Sequence, residues 1–258
     1  MPSEAEHRSV SILIPAARMG ASEEDAQTVW GDVRVALASI AAYAPGVDVV
    51  LAWNGREEPR DLPPNPHVRL VKQIEGIRTA SAAWNFAATQ TDADELLILG
   101  DDCVLLPDSL PLLFDDLATI HASQPEGGKV GIVGTRSNFV SGPQNIREAN
   151  GGERAGIRFD SEARIFAVEM IVPVAAWVRH DVFDSVGGFP NTNWFGDDLL
   201  SFDLQNAGYT HYVSRAYVHH VGQRATGEGK SDQQLYDEGM AWLAEHRPDF
   251  LRARLGTS

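Results

Sequence analysis

Thiols are almost missing from this chain: among 258 residues there is one cysteine, Cys103. An internal disulfide is therefore excluded, which fits a reducing compartment. Cations are scarce as well. Lys and Arg number 21 against 36 Asp and Glu, a formal net charge of −15, and this argues against non-specific binding to nucleic acid or anionic lipid. Long apolar runs are lacking. The most apolar later stretch, Val168 to Val178, is too short to span a bilayer and contains Glu169 and Pro173. The polar segment Met1 to Ser9 has no signal-peptide core. There is no internal repeat and no low-complexity tract. These absences predict a soluble, cytoplasmic protein with no integral membrane segment and no nucleic-acid partner.

What is present is ordinary for a globular chain: 43% hydrophobic and 22% charged residues, enough for one large α/β domain or two small ones. Val10 to Pro15 is a β-branched run stopped by proline, read as the first strand. Ser22 and an acidic first turn (Glu23, Glu24, Asp25) predict a helix whose apolar face recurs at Val29, Val33, Leu37 and Ile40 until Pro45-Gly46. Strands follow at Asp48–Trp53 and Val68–Val71, then a helix from Thr79 to Thr89. Further on come a helix at Ser109–Ile120, strands at Val130–Gly134 and Ile165–Val174, and a short helix at Asp181–Val186. A helix opened by Asp197-Asp198, a strand at Tyr212–Val218 and a capping-box helix from Ser231 to Pro248 complete the series. Strands alternating with helices predict an α/β fold with a doubly wound, mostly parallel central sheet.

The run Leu96-Leu97-Ile98-Leu99-Gly100-Asp101-Asp102 is the most informative stretch. A short apolar run ending in two carboxylates reads as a buried strand with acids at its carboxyl end, where open α/β sheets bind ligands. Adjacent acids repel unless a cation or polar ligand offsets them. Mg²⁺ takes one or two carboxylates and leaves positions for phosphate oxygens, so this segment reads as a metal–diphosphate site or, equally, as a solvated Asp-Asp turn. Cys103, beside them, is read as a small space-filling hydrophobe.

Several separated motifs then agree: the first strand ending in Pro15, the strand-end acid pair, Val186-Gly-Gly-Phe189, Gly196-Asp-Asp198, Leu204-Gln-Asn-Ala-Gly-Tyr209 and His219-His-Val-Gly222. Their order and spacing resemble the inverting glycosyltransferases of family two, which have the Rossmann-like GT-A fold. The resemblance covers about Val10 to Gly222. The segment Gly134 to Ile146, with its Ser-Asn…Gly-x-Gln pattern, is similar to a subgroup of bacterial members.

The resemblance implies sugar transfer from a nucleoside diphosphate sugar to an acceptor hydroxyl, with inversion and a Mn²⁺ or Mg²⁺ cofactor. Asp101-Asp102 looks like the DXD element, with Gly100 where the family commonly has its first acid. Asp102 is implied as the metal ligand and Asp101 as a contact to the ribose or the metal's water shell. His219 and His220 match the late histidine that reaches the metal, and the glycine two residues on favours His220. Asp197 and Asp198 match the pair that supplies the general base. Counting back from Ala207-Gly208-Tyr209 selects Asp197, whereas matching the dipeptide directly selects Asp198. Pro15, Arg78, Asn85 and Arg224 are implied on the nucleotide side, with Lys230 beside Arg224 in a closing loop. The chain departs from the family where the second strand often ends in an acid that bonds the base: Trp53 and Asn54 stand there, read as a stacking face and an edge contact or as a packed turn, and the donor nucleotide is left open. Trp194 and Phe195 are implied as an apolar platform for the acceptor.

On this reading residues 1–9 are a disordered tail and 10–230 are the GT-A domain, with a donor-binding half (10–135) and an acceptor-binding half (136–230). Residues 231–258 are a helical extension, and a homodimer is allowed. The loop Val140 to Gly156 belongs to the acceptor side. Two alternatives are carried. A catalytically idle relative that only holds a nucleotide sugar or glycan is kept alive by Gly100. A sugar-1-phosphate nucleotidyltransferase would need a glycine-rich loop after the first strand, where Ala16 to Gly20 offers one glycine.

Overall fold

The computed structural model describes residues 9–16, 23–53, 61–72, 79–146, 164–192, 194–221 and 231–256. The amino-terminal residues 1–8, the cap at Ser22, and residues 147–156 of the long loop lie outside them. So do Asn54, Arg78, Arg224 and Lys230.

Four strands form a parallel half-sheet: β1 (Val10–Ala16) lies between β2 (Asp48–Trp53) and β4 (Glu95–Leu99), and β3 (Val68–Lys72) lies outside β2. The sequences of β1, β2 and β4 are near-continuous apolar runs because helices cover both faces, whereas the outer strand β3 mixes apolar and cationic residues. Alternation along each strand splits the core in two. Ile12, Ile14, Leu51, Leu97 and Leu99 face helices α1 (Glu23–Tyr43) and α3 (Ser109–Ser123). Leu13, Val50, Leu96 and Ile98 face α2 (Ala80–Ala88), α4 (His180–Ser185) and α5 (Gly196–Asn206). Each fully buried leucine or isoleucine here contributes about 1.5–3 kcal/mol.

Beyond β4 the sheet is mixed. β8 (Ala175–Arg179) runs antiparallel to both β4 and β6 (Lys129–Ser137), and β6 is parallel to β9 (Tyr209–His220). Two short strands, β5 (Cys103–Val104) and β7 (Phe166–Val168), pair antiparallel with β9. The resulting order is β3-β2-β1-β4-β8-β6-β9-β5, with β7 also on β9.

Three features differ from the sequence reading. The strand expected over 165–174 is instead β7, a break, and β8. Pro173 has no N–H to continue a ladder, and the alanine-rich Ala175-Ala-Trp-Val178 carries little strand propensity although it is buried throughout. The two-residue β5 was too short to be read. Pro248 does close α6 (Asp232–His246), but it also opens α7 (Pro248–Leu255), since proline suits a first helical turn. The two carboxy-terminal helices pack on α5 through Leu199, Phe202, Leu243 and Phe250. Arg247 adds bonds of 2.9 and 2.6 Å to Asp203. No helix among the described residues is long and apolar enough to cross a membrane.

Candidate active site

The end of β4 turns sharply. Gly100 N–H donates to the Val174 carbonyl and Cys103 N–H to the Gly100 carbonyl, both at 3.2 Å, and Asp101 and Asp102 are left 7% and 5% exposed. Glycine at position 100 leaves its neighbours undisturbed. A Cβ there would lie 2.9 Å from Cys103 Sγ and 3.3 Å from Asp102 Oδ1. β5 then pairs with the end of β9, placing Cys103 opposite His220 and Val104 opposite His219. Val221 N–H donates to the Asp102 carbonyl at 3.0 Å. The result brings His220 Nε2 to 3.1 Å from Asp102 Oδ1.

His220 is held from behind. Asn138 accepts from its backbone N–H at 2.8 Å and donates to its carbonyl at 3.0 Å. The Phe139 carbonyl bonds Nδ1, and the Phe139 ring stands edge-on to the imidazole at 5.7 Å. A carbonyl can only accept, so Nδ1 carries a proton and Nε2 is aimed at Asp102. Burial disfavours the imidazolium, but hydrogen bonding to Asp102 and its negative charge outweigh that and hold the His220 pKa above its ordinary value. His219 differs: it is exposed, with Nδ1 3.2 Å from the Tyr217 hydroxyl. Donor atoms of Asp102, Cys103 and His220 all lie within 4.8 Å of one another. A carboxylate beside an imidazole whose far nitrogen is fixed by a carbonyl is a set that fits a divalent cation.

The second acid pair opens α5. Phe195 precedes it in a left-handed conformation, φ 68° and ψ 9°, which a non-glycine residue adopts only when its surroundings impose it. Here its ring packs on Tyr236 at 5.5 Å, and Gly239 of α6 leaves the room: a Cβ at 239 would lie 2.8 Å from Trp194 Cβ and 2.9 Å from the Phe195 ring. Asp197 and Asp198 follow in the first turn. Burial, and then the charge of Asp198, push Asp197 up to about 7, although backbone N–H groups of the helix start pull the other way. Asp198 is raised by burial and drawn back by its hydrogen bond with Asp197 and by the charge of Arg254.

One helix ties these parts together. Thr79 caps α2 by accepting from Ala82 N–H at 3.0 Å, and the small residues behind it permit close approach. From this helix Trp84 donates its indole N–H to the Leu99 carbonyl at 3.3 Å, where β4 ends. The same indole stacks on Phe189 at 5.2 Å. Asn85 bonds both the N–H and the carbonyl of Phe189, at 2.9 and 2.7 Å. Thr79 reaches Asn191 at 3.1 Å, and a Cβ on Gly196 would collide with Ser81 Oγ. The strand end before Asp101-Asp102 is thus bonded to α2 at Trp84, and the helix start bearing Asp197-Asp198 packs closely against Ser81, three residues or about 4.5 Å away along the helix axis.

No protein-family model matches the sequence, and no curated protein matches it. Solved structures do. Residues 1–349 of S. aureus TarS superpose with a TM-score of 0.55 at 13% identity, covering 92% of this chain and 64% of that one. The same fragment in complex with UDP-GlcNAc gives 0.56 at 13% identity, covering 92% and 66%. A longer TarS structure gives 0.55 at 12% identity, covering 92% and 39%. This chain has the GT-A fold. It spans less than two thirds of the length of each of these structures.

Within the GT-A fold the remaining candidates fall as follows. Pro15 is in β1, paired with Ala52. Trp53 is 5% exposed inside the α1-side core, and Lys72 Nζ covers its ring at 5.3 Å, so the described conformation offers no open ring face for a base. Asn85 has both ends of its amide occupied by Phe189 and acts on the loop before α5. Trp194 and Phe195 are partly buried, with the Trp194 carbonyl accepting from Thr192 Oγ1 at 2.9 Å. Sequence reasoning overlooked Trp84, Asn138 and Phe139. The signal for the last two was present in the Ser-Asn…Gly-x-Gln stretch, whose Gln144 also bonds Thr135 and Val172 and so anchors the segment to the sheet.

Proposed function

We propose that the chain transfers a sugar from a nucleoside diphosphate sugar to an acceptor hydroxyl with inversion, as an inverting, hexosyl-type enzyme of the family-two kind. The observation that carries this reading is that α2 meets both acid pairs' elements: Trp84 bonds the strand end that precedes the cation-type cluster, and Ser81 packs against the helix start that bears Asp197 and Asp198.

Asp102 and His220 would hold a divalent cation, Mn²⁺ or Mg²⁺, which acts as a Lewis acid toward the leaving diphosphate. Asp101, beside them, is assigned to the ribose or the ion's water shell. Asp197 is the general base. A carboxyl poised near 7 is half ionised at neutral pH, where proton transfer is most efficient. It takes the hydroxyl proton as the acceptor oxygen bonds to the anomeric carbon and the bond to the diphosphate oxygen breaks. Burial, and then the charge of Asp198, keep it at that pKa. Trp194 and Phe195 supply the acceptor platform, Arg78 and Arg224 the cationic partners of the diphosphate, and Asn54 an edge contact to the base. The TarS complex with UDP-GlcNAc makes a uridine nucleotide the first donor to try. The division at residues 135 and 230, and a cytoplasmic setting, belong to the same proposal.

Transfer or donor hydrolysis that needs Mn²⁺ or Mg²⁺, is abolished in Asp102→Ala, and is lost in Asp197→Asn without loss of donor binding tests this reading. Tight donor binding with no turnover across an acceptor panel would instead establish the idle relative, the reading that the missing acid at Gly100 keeps open.

A further inference from the structure

We infer that Cys103 is a third protein ligand of the cation site, and that the site takes a borderline transition-metal ion of the Co²⁺ and Zn²⁺ kind in preference to Mg²⁺. The inference rests on the reading of Asp102 and His220 as cation ligands and adds a sulfur to them. Cys103 and His220 are directly opposed residues of the antiparallel β5–β9 pair, so their side chains leave the same face of that ribbon. Cys103 Sγ lies 3.8 Å from Asp102 Oδ1, which lies 3.1 Å from His220 Nε2. An ion bound tetrahedrally at the usual distances to sulfur, nitrogen and oxygen spaces its ligand atoms about 3.3–3.7 Å apart, close to these two separations, and the third, between Cys103 Sγ and His220 Nε2, is within 4.8 Å.

Without a cation, burial and the charges of Asp102 and Asp101 hold the Cys103 thiol well above its ordinary pKa, so the thiolate depends on the positive charge of a bound ion. Any side chain at position 100 would enter the space of Sγ, so the missing acid at Gly100 and the thiol at Cys103 are one coupled arrangement. It exchanges an oxygen donor for a sulfur. Nδ1 of His220 is fixed by a backbone carbonyl, the usual second partner of a metal-bound imidazole. Three protein ligands leave a position for an oxygen of the substrate diphosphate. Thiolate and imidazole favour Co²⁺ and Zn²⁺, whereas Mg²⁺ prefers oxygen alone. On binding, the Cys103 thiol gives up its proton to solvent.

The test uses the full chain without a polyhistidine tag, titrated with CoCl₂ alone and with CoCl₂ plus UDP. Because Cys103 is the only thiol, a thiolate-to-cobalt charge-transfer band in the near ultraviolet can come from no other residue. We expect that band in the wild type at one equivalent. In Cys103→Ser it should vanish, Co²⁺ affinity should fall by more than the roughly tenfold that loss of even an outer-shell partner costs, and Mg²⁺ affinity should stay the same. Bound Co²⁺ without the band, or no bound Co²⁺ under either condition, overturns the assignment. The wild-type spectrum decides the matter even if the variant folds poorly. A protein that shows the band but transfers no sugar keeps this ligand and loses the proposed activity. One that transfers with Mg²⁺ and shows no band does the reverse.

Discussion

Replacing Asp197 by asparagine should stabilise the protein, and do so increasingly as pH rises. In the folded chain Asp197 is lifted to about 7 from an ordinary 3.8, first by burial and then by Asp198. Between those values the folded state binds a proton that the unfolded state has released. Stability therefore falls as pH rises from about 4 to about 7, and the full penalty is present above 7. A displacement of about three pH units at 1.36 kcal/mol each sets an upper bound of about 4 kcal/mol. Asp197 is only partly buried and shares its proton with Asp198, so about 1–3 kcal/mol between pH 5 and pH 8 is the reasonable expectation. In a chain of this size that corresponds to roughly 3–10 °C in melting temperature. Thermal or urea unfolding of wild type and Asp197→Asn at a series of pH values measures it directly, with no need of a substrate. The variant should gain on the wild type across that interval and the two should converge near pH 4. A stability difference that does not change with pH, or a variant that loses ground at pH 8, would refute the reasoning.

Other expectations follow from single contacts. Asp198→Asn removes the charge and hydrogen bond that raise Asp197, so the alkaline-rising limb of the transfer rate should move to lower pH; an unmoved limb would take the base role away from Asp197. Asn138→Ala deletes both bonds to the His220 backbone and should weaken divalent-cation binding by about 10–100-fold, measured by calorimetry, with little change in far-ultraviolet dichroism. Gly100→Asp forces a side chain against Cys103 Sγ and should cost about 1–3 kcal/mol in urea unfolding, with part of the loss recovered in Gly100→Asp/Cys103→Ala. Trp84→Phe keeps the stack on Phe189 but loses the bond to the Leu99 carbonyl, so it should cost about 0.5–1.5 kcal/mol.

The parallel half-sheet was legible from sequence because strands buried on both faces read as near-continuous apolar runs, and Ile12–Ala16, Val49–Trp53 and Leu96–Leu99 do. The acid pair at the end of β4 announced itself because nothing in an ordinary core needs two carboxylates there. The antiparallel β8 was not legible: its alanines carry no strand pattern, and pairing on both edges decides its conformation. The brace by α2 was hidden for a different reason. Trp84 and Asn85 look like one apolar and one polar face residue, and only the folded chain brings Leu99, 15 residues on, and Phe189, 104 residues on, to them. Cys103 read as filler because β5 is two residues long, and the pairing that sets its sulfur near Asp102 and His220 leaves no periodic trace.

The central claim is that Asp102 anchors a cation-dependent nucleotide-sugar site. Its most direct measurement is thermal unfolding with a panel of nucleotide sugars, with and without Mn²⁺. A bound donor raises stability by about 2.7 kcal/mol at one hundred times its dissociation constant. We expect a donor whose stabilisation requires the cation, persists in Asp197→Asn and disappears in Asp102→Ala. A shift that is indifferent to Mn²⁺, or one that survives in Asp102→Ala, would contradict the account.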